Sequence, residues 1–127
     1  MRKRIMCFAI ALLLLMSCFN CAFARRADEI FDSATISLKS TKRVKYDATT
    51  YGNQKNISIT ACWLEKKSGN KWIKQGSLET PASVSNSFSY VKEMDYSDKI
   101  GTGTYRVGAT FDADGHSITR YSNSRTF

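Results

Sequence analysis

The sequence is poor in the residues that most often build catalytic and metal sites. Its only histidine is His116, and three of its four cysteines, Cys7, Cys18 and Cys21, lie close to the N-terminus. A zinc site needs several His and Cys ligands, and a Ser-His-Asp triad would have to form around this single histidine. No Gly-x-Ser-x-Gly nucleophile motif is present. We therefore expect no catalytic residue, no metal ion and no cofactor, and we do not expect an enzyme.

Proline and helical periodicity are also scarce. Pro81 is the only proline, and no run beyond residue 24 repeats apolar residues with the period of an amphipathic helix. Apolar and polar residues alternate instead, in seven short segments separated by turn-rich stretches, which predicts seven antiparallel strands with one apolar face each. The predicted strands lie at residues 34–38, 44–48, 57–63, 71–78, 87–90, 104–111 and 117–122.

The number, length and order of these segments predict an all-β, immunoglobulin-like sandwich without the inter-sheet disulfide, and a small β-barrel is the alternative. Trp63 on the third strand takes the place of the tryptophan that such domains bury, and Tyr105 opens the sixth strand where a tyrosine corner would lie. Strict alternation from Ile57 places Trp63 in the core and Cys62 on the opposite face. Cys62 is interpreted either as a small, half-buried hydrophobe or as a free thiol that pairs between chains.

The N-terminus has the features of a secretory signal. Residues 2–4 are basic, residues 5–19 are apolar apart from one serine, and Ala22-Phe23-Ala24 fits the small-x-small cleavage pattern. We predict cleavage after Ala24 and a secreted, extracellular protein. Lipoprotein processing at Cys18 and retention as an uncleaved anchor are the alternatives.

Cleavage divides the chain into a signal peptide at 1–24, a loose leader at 25–32 and a single domain at 33–127. Without the three basic residues of the signal, 16 of the 19 Lys and Arg remain against 11 Asp and Glu, so the formal net charge falls from +8 to +5. Cys62 is then the only cysteine, so the domain is expected to depend on its apolar core rather than on a disulfide.

Two fragments near the C-terminus resemble ligand-binding loops. Gly101-Thr102-Gly103 lacks the following helix and the Gly-Lys-Ser/Thr of a phosphate loop, which predicts a tight turn instead. The Asp112–Gly115 segment lacks the glutamate of an EF-hand loop, and Tyr121 stands in its place. Asp-Gly between two alternating segments predicts a β-hairpin, with His116 beside its tip.

Basic residues gather around the turn at Gly69, next to a tryptophan that either covers the edge of the core or forms an exposed contact residue. The candidate interaction surface comprises Trp72, Lys66, Lys67, Lys71 and Lys74. Such lysines can simply protect an edge strand from pairing, or they can attract an anionic cell-wall polymer, a glycan or a protein. Basic and aromatic residues do not interleave as in nucleic-acid-binding proteins, so we expect no nucleic acid, and membrane contact only through the signal during export.

The second half of the chain, from Trp63 to Ser122, resembles a family of short, uncharacterised proteins exported by Gram-positive, gut-type bacteria. The matching segments are Leu64-Glu65-Lys66-Lys67, Gly69-Asn70-Lys71-Trp72, Gly103-Thr104-Tyr105-Arg106-Val107 and Tyr121-Ser122. The resemblance implies a β-sandwich fold and export, and it supplies no catalytic or binding residue. The function that we predict is a secreted, non-enzymatic binding module at the cell surface or outside the cell. A bacteriocin-like or host-directed effector is the alternative.

Overall fold

The computed structural model describes residues 27–127, which form an all-β domain. A four-residue helix, α1 (Ala27–Ile30), precedes seven strands: β1 (Phe31–Leu38), β2 (Arg43–Ser68), β3 (Lys71–Ser77), β4 (Val84–Asp95), β5 (Thr104–Ala113), β6 (His116–Tyr121) and β7 (Arg125–Thr126). All pair antiparallel in one sheet. The predicted all-β, seven-stranded antiparallel fold is confirmed. Cleavage at Ala24 and lipidation at Cys18 concern positions outside the described residues.

Strand β2 organises the sheet because its 26 residues belong to two groups of strands. Its first part pairs with β1 on one edge and β4 on the other, and its last part pairs with β5 and β3. The predicted second and third strands are therefore one strand. Gly52 marks a bend in this strand rather than its end. At the bend the Thr50 hydroxyl donates to the Gly52 carbonyl at 2.7 Å, and the Asp114 carboxylate accepts from the backbone N–H groups of Lys55 and Asn56.

The two parts of the sheet face each other across an apolar core, as in a sandwich. Phe111 on β5 makes edge-to-face contacts with Phe31, Tyr46 and Tyr90 of the other part, at centroid distances of 6.4–6.5 Å. Phe31 is buried, so the folded chain begins before the expected domain start at residue 33. Within residues 27–127, no helix is long and apolar enough to cross a membrane.

Strand β5 follows the predicted alternation throughout. Tyr105, Val107, Ala109 and Phe111 are all buried. The hydroxyl of Tyr105 donates to the carbonyl of Thr102, three residues upstream, at 3.4 Å, which is the kind of bond that a tyrosine corner makes.

The predicted Asp-Gly hairpin is also confirmed. Asp114 and Gly115, both with positive φ, join β5 to β6 as a two-residue turn. Asp112 accepts hydrogen bonds from the N–H of Gly115 and the hydroxyl of Ser117. Its carboxylate therefore stabilises the hairpin.

The predicted orientation of Trp63 is wrong, because β2 contains a bulge. Ile59 pairs with Phe111 and Ala61 pairs with Thr110, so Thr60 is an extra residue with no partner on β5. One extra residue exchanges the two faces of every position that follows. Cys62 is therefore buried, with 3% of its surface exposed, and Trp63 lies on the outer side.

Candidate functional site

The strand β2 contributes to two outer faces with different chemistry. Side chains that are directly paired across antiparallel strands lie on the same face, so the register defines both faces. The first, which we call the hydroxyl face, covers β1, β2 and β4. Its residues are Ser33, Thr35, Ser37, Arg43, Lys45, Asp47, Thr49, Ser89, Val91, Glu93 and Asp95.

The second outer face, which we call the aromatic face, covers β3, the last part of β2, β5 and β6. Its residues are Ala61, Trp63, Glu65, Lys67, Trp72, Lys74, Ser77, Thr104, Arg106, Gly108, Thr110, Thr119 and Tyr121. Both tryptophans of the protein lie here. The bulge at Thr60 creates this face, because without it Trp63 would be directed toward the core.

Arg106 lies at the centre of the aromatic face, between two rings. Its guanidinium carbon is 4.5 Å from the centroid of Trp72 and 4.3 Å from the centroid of Tyr121. A guanidinium stacked on aromatic rings at these distances makes favourable cation–π contacts. The side chains of Trp72, Arg106 and Tyr121 thus form a continuous stack that joins β3, β5 and β6.

Glu65 holds the side chain of Arg106 in place within this stack. Its Oε1 accepts hydrogen bonds from Nε and Nη2 of Arg106 at 3.0 and 2.8 Å, and its Oε2 accepts from Nε1 of Trp63 at 2.8 Å. Only 7% of Glu65 is exposed. This carboxylate therefore neutralises Arg106 and orients both side chains, so Arg106 acts as a positioned stacking group rather than as an open anion site.

Trp63 packs directly on the sheet because its neighbour on β5 is a glycine. A Cβ atom at Gly108 would lie 2.5 Å from the indole ring. The Nζ of Lys74 is 4.7 Å from the centroid of the same ring, and Tyr121 meets it edge-on at 6.1 Å. The indole is thus held between the backbone, a cation and a second ring.

Lys67 and Lys74 carry the uncompensated charge of the aromatic face. In the described part of the chain, neither ammonium group makes an ion pair with a carboxylate. Lys74 lies directly opposite Glu65 in the register of β2 and β3, and Lys67 lies two residues further along β2, so the two lysines are diagonal neighbours on this face. Their ammonium groups lie over different indoles, that of Lys74 over Trp63 and that of Lys67 over Trp72.

On and beside the hydroxyl face, by comparison, the cations form ion pairs. Lys39 and Arg43 contact Glu93 at 3.3 and 2.8 Å, and Lys45 contacts Asp47 at 3.5 Å. Hydrogen bonds from Arg43 and Lys39 hold the pKa of Glu93 below its usual value. The cations next to this face are therefore paired with carboxylates of the same molecule.

The five residues of the predicted interaction surface divide between two sides of the sheet. Trp72, Lys67 and Lys74 lie on the aromatic face, whereas the register places Lys66 and Lys71 on the opposite side. The Nζ of Lys66 lies 5.6 Å from the centroid of Tyr105, at the end of the core.

The sequence reasoning missed Trp63, Glu65, Arg106 and Tyr121 as members of the site. A signal was present in Gly108, because a glycine in the middle of a regular strand often marks a close approach of another group.

The other positions that could form a binding site show structural roles or are too small for a ligand. Within residues 27–127, no group of three or more His, Cys, Asp or Glu side chains is arranged to hold a metal ion. Gly103 has a positive φ, as expected of the predicted tight turn. It also exchanges two backbone hydrogen bonds with Phe127, which extends the pairing of β5 with β7. A hollow of about 80 Å³ lined by Leu64, Leu78 and Lys99 is small beside the few hundred Å³ of a ligand pocket.

Cys62 belongs to a buried polar network. The hydroxyl of Tyr96 donates to the Glu79 carbonyl at 2.7 Å, and it is 2.9 Å from the hydroxyl of Tyr46, which therefore donates to it. The Sγ of Cys62 lies 3.4 Å from the same carbonyl. Burial raises the pKa of both Tyr46 and Tyr96. The structure thus supports the interpretation of Cys62 as a buried small side chain.

The aromatic face is the strongest candidate site in the described part of the chain, since it combines two half-buried indoles and the exposed ring of Tyr121 with cations that make no ion pair. A comparison of the chain with protein-family models found no matching family, and a comparison with curated proteins found no matching sequence. The resemblance to exported proteins of Gram-positive bacteria stays a prediction.

Proposed function

We propose that this protein is an exported, non-enzymatic binding module that holds an anionic partner against its aromatic face. The carrying observation is the contrast between the two outer faces. Among residues 27–127, the cations of one face are neutralised within the molecule, whereas Lys67 and Lys74 on the other face lie beside two tryptophans and form no ion pair with a carboxylate.

The composition of the aromatic face supports binding over simple solubility. Tryptophan, tyrosine and arginine are the residues that most often dominate the energy of an interface. A polar outer face could be covered with hydroxyls and ion pairs, as the other half of the same sheet is. Placing Trp63, Trp72 and Tyr121 there exposes apolar surface that core packing does not require, which is typical of an interaction site.

The shape of the face supports an extended partner. Its residues project from four neighbouring strands, so the face extends along the surface of the sheet. A broad, shallow surface matches a polymer that contacts several rows of side chains at once. An anionic polymer of the cell wall or the extracellular space has the required charge and dimensions.

The proposal is tested by cosedimentation of the protein, as exported and processed by its host, with Gram-positive cell walls. We expect binding at low ionic strength that weakens as salt rises, because salt screens exposed charges. Walls from which the anionic polymers have been extracted should retain much less protein. Equal retention by extracted walls, or no binding at low salt, would contradict an anionic partner.

A matched pair of aromatic deletions localises the binding. Trp72→Ala removes a ring from the aromatic face, and Phe88→Ala removes a ring that is 59% exposed elsewhere on the molecule. We expect the Trp72 variant to lose most of its wall binding and the Phe88 variant to bind as the wild type does. Thermal melting of both variants controls for loss of the fold. Equal losses would place the site elsewhere.

A further inference from the structure

We infer that the ligand of the aromatic face is an anionic polysaccharide, in which sugar rings stack on Trp63 and Trp72 and acidic groups contact Lys67 and Lys74. The inference rests on the proposed function and adds the chemical class of the partner. The inference favours a chain of acidic sugars over two other anionic partners, a polyanion without rings and a lipid surface.

The first argument is the pairing of each indole with an ammonium group. The Nζ of Lys74 is 4.7 Å from the Trp63 centroid, and the Nζ of Lys67 is 6.0 Å from the Trp72 centroid. A sugar ring offers an apolar face of C–H groups, and an acidic sugar carries a charge at the edge of that ring. Each ammonium group lies over the face of its indole. A sugar that stacks on the indole would displace the exposed lysine side chain to the edge of the ring, where its charge meets the acidic group of the sugar.

The second argument is the rigidity of the rings. Trp63 is fixed by its hydrogen bond to Glu65 and by contact with Gly108, and Trp72 is fixed by the stacked guanidinium of Arg106. Side chains that are already held in place lose little conformational freedom on binding. Fixed rings suit the weak, repeated contacts that a polysaccharide makes along its length.

The third argument is the presence of a pair of threonine hydroxyls toward each end of β5 on the aromatic face. Thr110 and Thr119 hydrogen-bond at 3.1 Å toward one end of β5, and Thr104 and Thr126 hydrogen-bond at 2.7 Å at the other end. These exposed hydroxyls can exchange hydrogen bonds with sugar hydroxyls. From Thr104 to Thr110 the strand rises about 20 Å, which is the length of several linked sugars.

A lipid surface fits the same face less well. A protein that inserts into the headgroup region presents protruding aromatic and aliphatic side chains. Here the indole N–H of Trp63 is bonded to Glu65, and Ala61 is the only aliphatic side chain on the face. The rings lie along the sheet and against one another, so they form a flat surface and do not protrude as membrane-inserting side chains do.

Intrinsic fluorescence tests the inference directly, because both tryptophans of the protein lie on the aromatic face. The host-processed protein is titrated with four probes at low salt. Oligogalacturonate and heparin-derived oligosaccharide have charged sugar rings, inorganic polyphosphate has charge without rings, and phosphatidylglycerol vesicles present a lipid surface. We expect a saturable emission change with at least one ringed probe, at least tenfold tighter than with polyphosphate of equal charge.

The outcomes separate this inference from the proposed function. Binding to polyphosphate as tight as to both ringed probes, or binding to vesicles that is tighter than to either, overturns the polysaccharide and leaves an anionic partner in place. No response to any probe, together with no cell-wall binding, overturns both proposals. Trp72→Ala should lower the affinity for the ringed probe at least fivefold more than it lowers the affinity for polyphosphate. An equal loss of affinity for the two probes would also overturn the stacking of sugar rings.

Discussion

The hydroxyl face and the aromatic face cover the same core and share the strand β2, yet they are built differently. On the hydroxyl face, small side chains and ion pairs satisfy one another. On the aromatic face, a buried carboxylate holds an arginine and an indole in place, while Lys67 and Lys74 make no ion pair in the part of the chain that the structure describes. The hydroxyl face shows that this sheet can cover its core without exposed aromatic rings. The requirements of the fold therefore do not explain why the aromatic face has them.

The largest expected difference between the faces concerns their two central glutamates. Glu65→Ala leaves Arg106 and the N–H of Trp63 without an acceptor in a largely buried position, which should lower the free energy of unfolding by about 3 kcal/mol. Glu93→Ala removes exposed ion pairs and should leave the midpoint of urea unfolding almost unchanged. Equal shifts of the midpoint for the two variants would show that the faces are not built differently.

A smaller effect is expected from methyl groups added at two glycines of the same sheet. Gly108→Ala pushes a Cβ into the ring of Trp63, and the resulting strain should cost about 1–3 kcal/mol. Gly52→Ala, at the bend of β2, meets no atom within 4 Å and should be close to neutral. Thermal melting and tryptophan emission measure the two effects. An unchanged melting temperature and emission for Gly108→Ala would contradict the close contact.

Alkaline pH should weaken the half of the sheet beneath the hydroxyl face, where the tyrosines point inward. Burial raises the pKa of Tyr90 to about 12, from an ordinary value of 10.0. A raised pKa in the folded state gives stability that is present below pH 10 and is lost as the pH rises through about 12. Tyr90→Phe should flatten this loss in melting curves from pH 9 to pH 12. A loss as steep as in the wild type would assign it to other groups.

The smallest effect is expected from acid titration of the exposed ion pairs. Hydrogen bonds from Arg43 and Lys39 lower the pKa of Glu93, and a hydrogen bond from the Ser97 backbone lowers that of Asp95. A lowered pKa in the folded state gives stability above the ordinary carboxyl pKa that is lost as pH falls through the folded value. Glu93→Gln should slightly reduce the slope of stability between pH 5 and pH 3. A steeper slope in this variant would contradict the sign.

The sequence predicted the strands well where alternation is uninterrupted. The buried residues of β5 and the Asp114-Gly115 turn follow from local chemistry, because each position depends only on its neighbours along the chain. The continuity of β2 could not be predicted in this way. Gly52 is a residue typical of turns, and the strand continues past it because β4 pairs with β2 on both sides of the bend and Asp114 binds the backbone of Lys55 and Asn56. These partners are distant in sequence.

The candidate site was only partly predictable for the same reason. Trp72, Lys67 and Lys74 could be predicted from their position around a hairpin, whereas Trp63 was predicted on the wrong side. The bulge at Thr60 is defined by pairing with β5, and the sequence of β2 alone contains no glycine or proline that marks it. The contact between Arg106 and Trp72 joins strands separated by β2, so no sequence spacing predicts it.

The most direct test of the aromatic face as the binding site compares two variants of identical net charge. Lys67→Gln/Lys74→Gln removes the two unpaired cations of the aromatic face, and Lys39→Gln/Lys45→Gln removes two cations that contact Glu93 and Asp47. The affinity for Gram-positive cell walls should fall at least tenfold for the first variant and less than twofold for the second. Equal losses of affinity would mean that overall charge, and not the aromatic face, determines binding.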